Sequence, residues 1–262
     1  MTDAPSSPRV RIDRPATGVA LVVLNRPDKR NALDIPMRAA IAEAFRDLAV
    51  DTQTRCIVLT GGESVFAAGA DLNMLVDLGA QEAADLDLPG YWRPVRDCPK
   101  PVIAAVNGVA FGAGCELAMM TDIIVASPAA RFGQPEAAVG IMPGAGGVQR
   151  LTRLIGPKAA SLMLLSGDPL DAPRAHALGL VSALADGEDA LPRALELANR
   201  IAAMPPKAMG AIKRNLAAGA DLPLEAALAL ENREFLLLFD TADKTEGMRA
   251  FLERRKPQFS GR

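Results

Sequence analysis

Glu116 and Glu136 stand 20 residues apart, each beside its own glycine-rich turn: Phe111-Gly112-Ala113-Gly114-Cys115-Glu116 and Phe132-Gly133-Gln134-Pro135-Glu136. The sequence holds one histidine, His176, and one tyrosine, Tyr91. Proton transfer near neutral pH therefore falls mostly to carboxylates with shifted pKa values, or to Cys or Lys. Two carboxylates in contact supply such a shift, because like charges cannot both form cheaply side by side. The flanks are apolar, Leu117-Ala118-Met119-Met120 after the first acid and Ala137-Ala138-Val139 after the second. Such flanks favour burial, which raises a carboxyl pKa. Each acid also has a plainer reading at a helix start, as a dipole complement for Glu116 and as the residue after a proline for Glu136.

The turn Phe66-Ala67-Ala68-Gly69-Ala70-Asp71 resembles the turn before Glu116 physically, since each follows a strand and leads into a helix. The amides of Ala70 and Ala113 are then candidates to converge on one oxygen, an oxyanion hole for a thioester or ester enolate. Small residues also permit tight strand–helix packing, but two such turns followed by two glutamates favour the site. Gly144-Ala145-Gly146-Gly147 lacks dinucleotide spacing and a Walker lysine. No G-x-S-x-G elbow supports a serine hydrolase. Arg150 and Arg153 read as a solvated or ion-paired helix face, His176 as a surface position and Cys115 as a buried thiol.

Strands are expected at Val19 to Leu24, Cys56 to Thr60, Val102 to Val106 and Ile123 to Ala126, each stopped by turn residues. Apolar residues at helical spacing predict a helix over Ile35 to Leu48, and Asp71 is expected to open another through about Leu78. Strands alternating with helices indicate an α/β fold with parallel pairing. Beyond Ala190 the pattern becomes helical: Leu191 to Ala203, Pro206 to Ala217, Leu224 to Phe239 and Thr245 to Arg255. Residues 1–190 are thus expected to form the core and 191–262 a helical region. Met1 to Arg14 read as a loose leader without the apolar stretch of a signal peptide.

Composition narrows the function classes. A chain of 262 residues at net charge −2, with 4% aromatic residues and no basic block, lacks the footprint of a nucleic-acid binder. The longest apolar runs are too short to span a bilayer. Three cysteines without CxxC spacing, Cys56, Cys98 and Cys115, suggest reduced thiols and a cytoplasmic setting. One histidine cannot build a usual zinc site, so no metal is expected.

With these segments, the sequence closely resembles the enoyl-CoA hydratase/isomerase (crotonase) family. The resemblance is carried by Leu24-Asn25-Arg26-Pro27, Asn31-Ala32-Leu33, the two glycine turns, Pro101 to Gly108, Phe132 to Glu136, Pro143 to Gly147 and the tail from Glu246 to Phe259. It implies a spiral of β-β-α units and a helical C-terminal part that builds trimers, often paired into hexamers. It implies an acyl-coenzyme A substrate and no separate cofactor. It places Ala70 and Ala113 on the thioester oxygen, Gly144 near the attacking water, and Ala68, Asp71 and Leu72 near the adenine. Lys29 and Arg30 fall near the phosphates, while Phe251 and Arg254 match tail positions that reach a neighbouring subunit's CoA. Arg254 and Asp28 stand where lysine is common. Leu75 to Val95, with Leu86, Leu88, Tyr91 and Trp92, is expected to line the acyl tunnel, in detail similar to hydratases that take a dicarboxylic acyl-CoA. Acids at both glutamate positions imply hydration of a trans-2-enoyl-CoA, as in β-oxidation. The alternatives are Δ3-Δ2 isomerisation by Glu136 alone, or a non-catalytic member binding RNA or protein.

Overall fold

The computed structural model describes residues 8–262. Along the chain run β1 (Val10–Ala16), β2 (Val19–Leu24), α1 (Ile35–Val50), β3 (Cys56–Thr60), α2 (Ala80–Asp85), α3 (Arg93–Arg96), β4 (Val102–Val106), β5 (Val109–Phe111) and α4 (Ala113–Met119). Next come β6 (Ile123–Ala126), β7 (Arg131–Gly133), α5 (Gly147–Ile155), α6 (Pro157–Ser166), β8 (Leu170–Asp171), α7 (Ala172–Ala177) and β9 (Ala183–Leu184). The chain ends in α8 (Leu191–Ala202), α9 (Pro206–Gly219), α10 (Leu224–Leu238) and α11 (Ala242–Leu252).

Strands β2, β3 and β4 are buried along their whole length. Continuous apolar runs of this kind suit parallel strands covered on both faces. They sit in a six-stranded sheet of order β1-β2-β3-β4-β6-β9, in which only β1 and β2 are antiparallel. One face packs on Met37, Ile41 and Phe45 of α1. The other packs on Ala194, Ala198 and Ala202 of α8, whose small side chains let the helix lie close to Val58 and Ile103. Each large aliphatic residue so buried contributes about 1.5–3 kcal/mol.

A second sheet runs β5-β7-β8 and is extended by single bridges from Ala67 to Ala110 and from Leu33 to Ala70. Each winding of the chain gives one strand to the large sheet and then one segment to the small: β3 then Ala67, β4 then β5, β6 then β7. This is the spiral of β-β-α units implied by the resemblance. Buried Asn31, at φ +54, pins the start of the second layer. Its Nδ2 donates to the carbonyls of Gly61, Val65 and Phe66, and its Oδ1 accepts from Arg26 N.

Two expectations are corrected. Within the expected leader, Met1 to Ser7 lie outside the described residues, but Val10–Ala16 is an edge strand, held by Val10↔Leu24 and Ile12↔Val22 pairing. Its exposed Arg11, Ile12 and Arg14 leave only a weak apolar signal. The helix expected from Asp71 to Leu78 is only a 3-10 turn, Leu72–Met74, capped by Asp71, and α2 starts at Ala80. The helix-dipole argument therefore holds for Ala113 and not for Ala70. Among the described residues no helix is long and apolar enough to cross a membrane.

Candidate active site

The turn from β5 into α4 places the first acid. Gly112 adopts φ +50 and ψ −124, a backbone that side chains resist, and its N–H donates to Gly133 O at 2.8 Å. A Cβ on Gly114 would come 2.8 Å from the Cβ of Ala67, so small residues here let α4 press onto the preceding winding. Glu116, in the first turn of α4, is 2% exposed. Its Oε1 accepts the amides of Ala145 and Gly147, each at 2.8 Å. The glycine loop is thus a carboxylate grip, which explains its composition better than flexibility does.

Glu136 is half-buried and opens the 3-10 turn Glu136–Val139 after Pro135. A Cβ added at Gly112 would lie 3.0 Å from Glu136 Oε1, which puts this carboxylate beside the turn that leads into Ala113. Buried Gln134 orients it. With the amide assigned by its hydrogen-bond network, the nitrogen donates to both Glu136 oxygens, at 3.0 and 3.2 Å.

The two acids meet different electrostatics. Burial pushes the Glu116 carboxyl above its ordinary value, opposed by the amides of Ala145 and Gly147 and by the charges of Arg38 and Arg150. Glu136 has no such cations. Burial, with the added charge of Glu116, raises it to about 7, while a hydrogen bond from its own backbone N–H pulls the other way. Paired carboxyls in unequal surroundings can divide the acid and base roles between them.

Both glutamates line one cavity of about 600 Å³, together with Ala70, Ala113 and Gly144. Neither the Ala70 nor the Ala113 amide donates to another protein group among the described residues. Ala68 and Leu72 line the cavity too, as do Leu75, Leu78 and Leu88 from the segment expected to cover the acyl chain. Trp92 does not. It is 1% exposed and lies beneath the guanidinium of Arg38, 4.8 Å from its ring centre. Asp71 also stands apart from the lining: its carboxylate pairs with Arg26 at 3.3 Å and accepts from Asn73. Lys29 and Arg30 are exposed at the turn after β2. Phe251 is 83% exposed and Arg254 is exposed just beyond α11, away from this chain's own cavity lining.

His176 is exposed on α7, with Nδ1 2.8 Å from Val181 O. All three cysteines are buried free thiols, and burial pushes the Cys115 thiol well up. Among the described residues no group of three or more His, Cys, Asp or Glu is placed to hold a metal ion. Sequence reasoning missed Gln134, Arg38, Ala145 and Gly147 as site residues. Arg38 carried a visible signal: it stands four residues before Ala42 and seven before Phe45, both buried, so a cation occupies a core-facing position of α1.

The comparisons with known proteins identify the family. The family model for enoyl-CoA hydratase/isomerase matches residues 14–262. The 2,3-dehydroadipyl-CoA hydratase of Escherichia coli (strain K12) is 44% identical over 244 residues, covering 93% of this chain and 96% of that protein. The mitochondrial enoyl-CoA hydratase of Pongo abelii is 42% identical over 241 residues, covering 92% and 83%. The crystal structure of an enoyl-CoA hydratase from Bacillus anthracis superposes with a TM-score of 0.93 at 32% identity, covering 97% of this chain and 100% of that one. With its spiral windings and its matched length, the chain belongs to the enoyl-CoA hydratase/isomerase family.

Proposed function

We propose that this protein is an enoyl-CoA hydratase that adds water reversibly to a trans-2-enoyl-CoA, giving a 3-hydroxyacyl-CoA. The observation that carries the reading is the pair of carboxyls in one cavity, one gripped by two amides and the other raised to about 7.

The thioester oxygen sits between the amides of Ala70 and Ala113, and the polarised chain is left electron-poor at C3. Water between Glu116 and Glu136 adds there, its oxygen bonding to C3 and its proton passing to Glu116. Glu136 delivers a proton to C2, both additions coming from the same face. Gly144 N–H, at the cavity edge, helps to hold the water. Removing one oxyanion donor typically lowers the rate about 10²–10³-fold, so the two amides rank with the acids. Lys29, Arg30, Ala68 and Leu72 are the groups for the coenzyme A part of the substrate.

Phe251 and Arg254 serve a neighbouring subunit in a trimer or pair of trimers. What supports assembly is the exposed apolar surface of the last helices, including Ile212, Leu216, Leu237, Phe239, Phe251 and Leu252. Light scattering should give a multiple of three chains; a monomer at micromolar concentration would refute this part. Three buried thiols support a reducing, cytoplasmic setting.

The deciding experiment feeds the enzyme a trans-2-enoyl-CoA and, separately, its 3-enoyl isomer. Hydration should dominate. Conversion of the 3-enoyl compound to the conjugated one, without water addition, would assign Glu136 a proton shuttle of its own and make the protein an isomerase.

A further inference from the structure

Arg38 acts on Glu116 only through its charge, and most of its hydrogen-bonding capacity is unused. Its residue is 3% exposed, and its Nε donates to Leu33 O at 3.0 Å while the guanidinium lies over Trp92. A guanidinium has five N–H donors. Among the described residues no other hydrogen bond from this group to protein is present, and no carboxylate lies within 4 Å of it. Yet Arg38 lines the same cavity as the two glutamates, and that lining also includes the apolar Leu75, Leu78 and Leu88. Burying a cation is expensive unless it is paired and hydrogen-bonded. The strain of burial is visible, since it pulls this guanidinium down to about 10. At neutral pH the group is still charged, and it keeps N–H donors without a protein partner in the lining of the cavity.

We propose that Arg38 receives a second carboxylate at the far end of the acyl chain, so that the preferred substrate class is ω-carboxylated 2-enoyl-CoA. The inference rests on the hydratase reading of the cavity. A planar carboxylate meets the guanidinium fork in paired, charge-assisted hydrogen bonds. Arg38 also answers a charge problem. The cavity already holds two acids, which would repel an incoming carboxylate unless a cation stood in the same lining. Leu75, Leu78 and Leu88 would cover the methylenes between.

The test compares each ω-carboxylated trans-2-enoyl-CoA with the methyl-ended chain of equal length, across a short series. The ratio of their kcat/KM values is read in the native protein, Arg38→Met and Arg38→Lys. At the matching length the native enzyme should favour the carboxylated chain by about tenfold to a hundredfold. Arg38→Met should erase that ratio, and Arg38→Lys should keep part of it through its charge. A second arm measures Kd for adipyl-CoA against hexanoyl-CoA by calorimetry, and needs no turnover. If no enoyl-CoA is hydrated, the hydratase reading falls while this binding arm still decides the role of Arg38. The proposal is overturned if the native protein shows no preference at any length, or if Arg38→Met leaves the ratio unchanged. It is equally overturned if Arg38→Met alters only the pH profile of the uncharged substrate, which would make Arg38 the distant counter-charge of Glu116. Should Arg38→Met fail to fold, the native length series and Arg38→Lys still decide between these outcomes.

Discussion

Replacing Gly112 by alanine should separate catalysis from stability. The residue sits at φ +50 and ψ −124, where an L side chain is strained by about 1–3 kcal/mol. The new Cβ would also lie 3.0 Å from Glu136 Oε1 and 3.5 Å from its Cδ, so the acid must retreat by a few tenths of an ångström. The same turn aims the Ala113 amide. Misplacement of about 1 Å lowers a rate about 10²-fold, so shifting acid and amide together should reduce kcat about 10- to 100-fold. Gly156→Ala is the control. It has φ +79 and ψ 159, a region almost restricted to glycine, with no heavy atom within 4 Å of the added Cβ, so it should lose about 1–3 kcal/mol from backbone strain alone. Urea unfolding gives the stability change of both proteins, and crotonyl-CoA hydration with butyryl-CoA binding gives the activity. Gly112→Ala turning over within twofold of the native rate, at a stability matching the control, would refute the placement of Glu136 against this turn.

Three further outcomes follow from individual contacts. Gln134→Leu removes both donors to Glu136, so the apparent pKa of that limb of the kcat profile should rise; an unmoved profile would mean that the amide does not touch the acid. Glu136→Gln should change stability with pH. The carboxyl rises from an ordinary 4.5 to about 7 on folding, so the folded state holds its proton more tightly and ionisation opposes folding as pH climbs through that window. The variant should gain on the order of 1–2 kcal/mol relative to native above pH 7, after discounting for partial exposure, and nothing below about 4.5; a gain that grows toward acid pH contradicts the assignment. Asn31→Ala removes the donor to three carbonyls, two of them buried, and should lower unfolding stability by about 2–4 kcal/mol, and a loss below 1 kcal/mol would show that water replaces the amide.

What was legible in the sequence follows from what periodicity records. The strands β2, β3, β4 and β6 were readable to the residue because both faces are covered, leaving unbroken apolar runs between turn signals. Edge strand β1 was missed because it buries little. Asp71 reads as a helix start because its cap chemistry is genuine, although it caps only one 3-10 turn. Glu116 and Glu136 stood out by their apolar flanks. Their supports did not, because backbone amides such as those of Ala145 and Gly147 leave no side-chain signature and act through contacts 29 and 31 residues away. Trp92 was misplaced since an aromatic near a tunnel and an aromatic under it look the same in one dimension.

The central assertion is that two carboxylates share one water and one substrate. Glu116→Gln and Glu136→Gln proteins, assayed for crotonyl-CoA hydration beside butyryl-CoA binding, test it most directly. Each should bind the saturated thioester within a few-fold of native and lose about 10²–10⁴-fold or more in kcat. Near-native turnover by either variant would contradict the account.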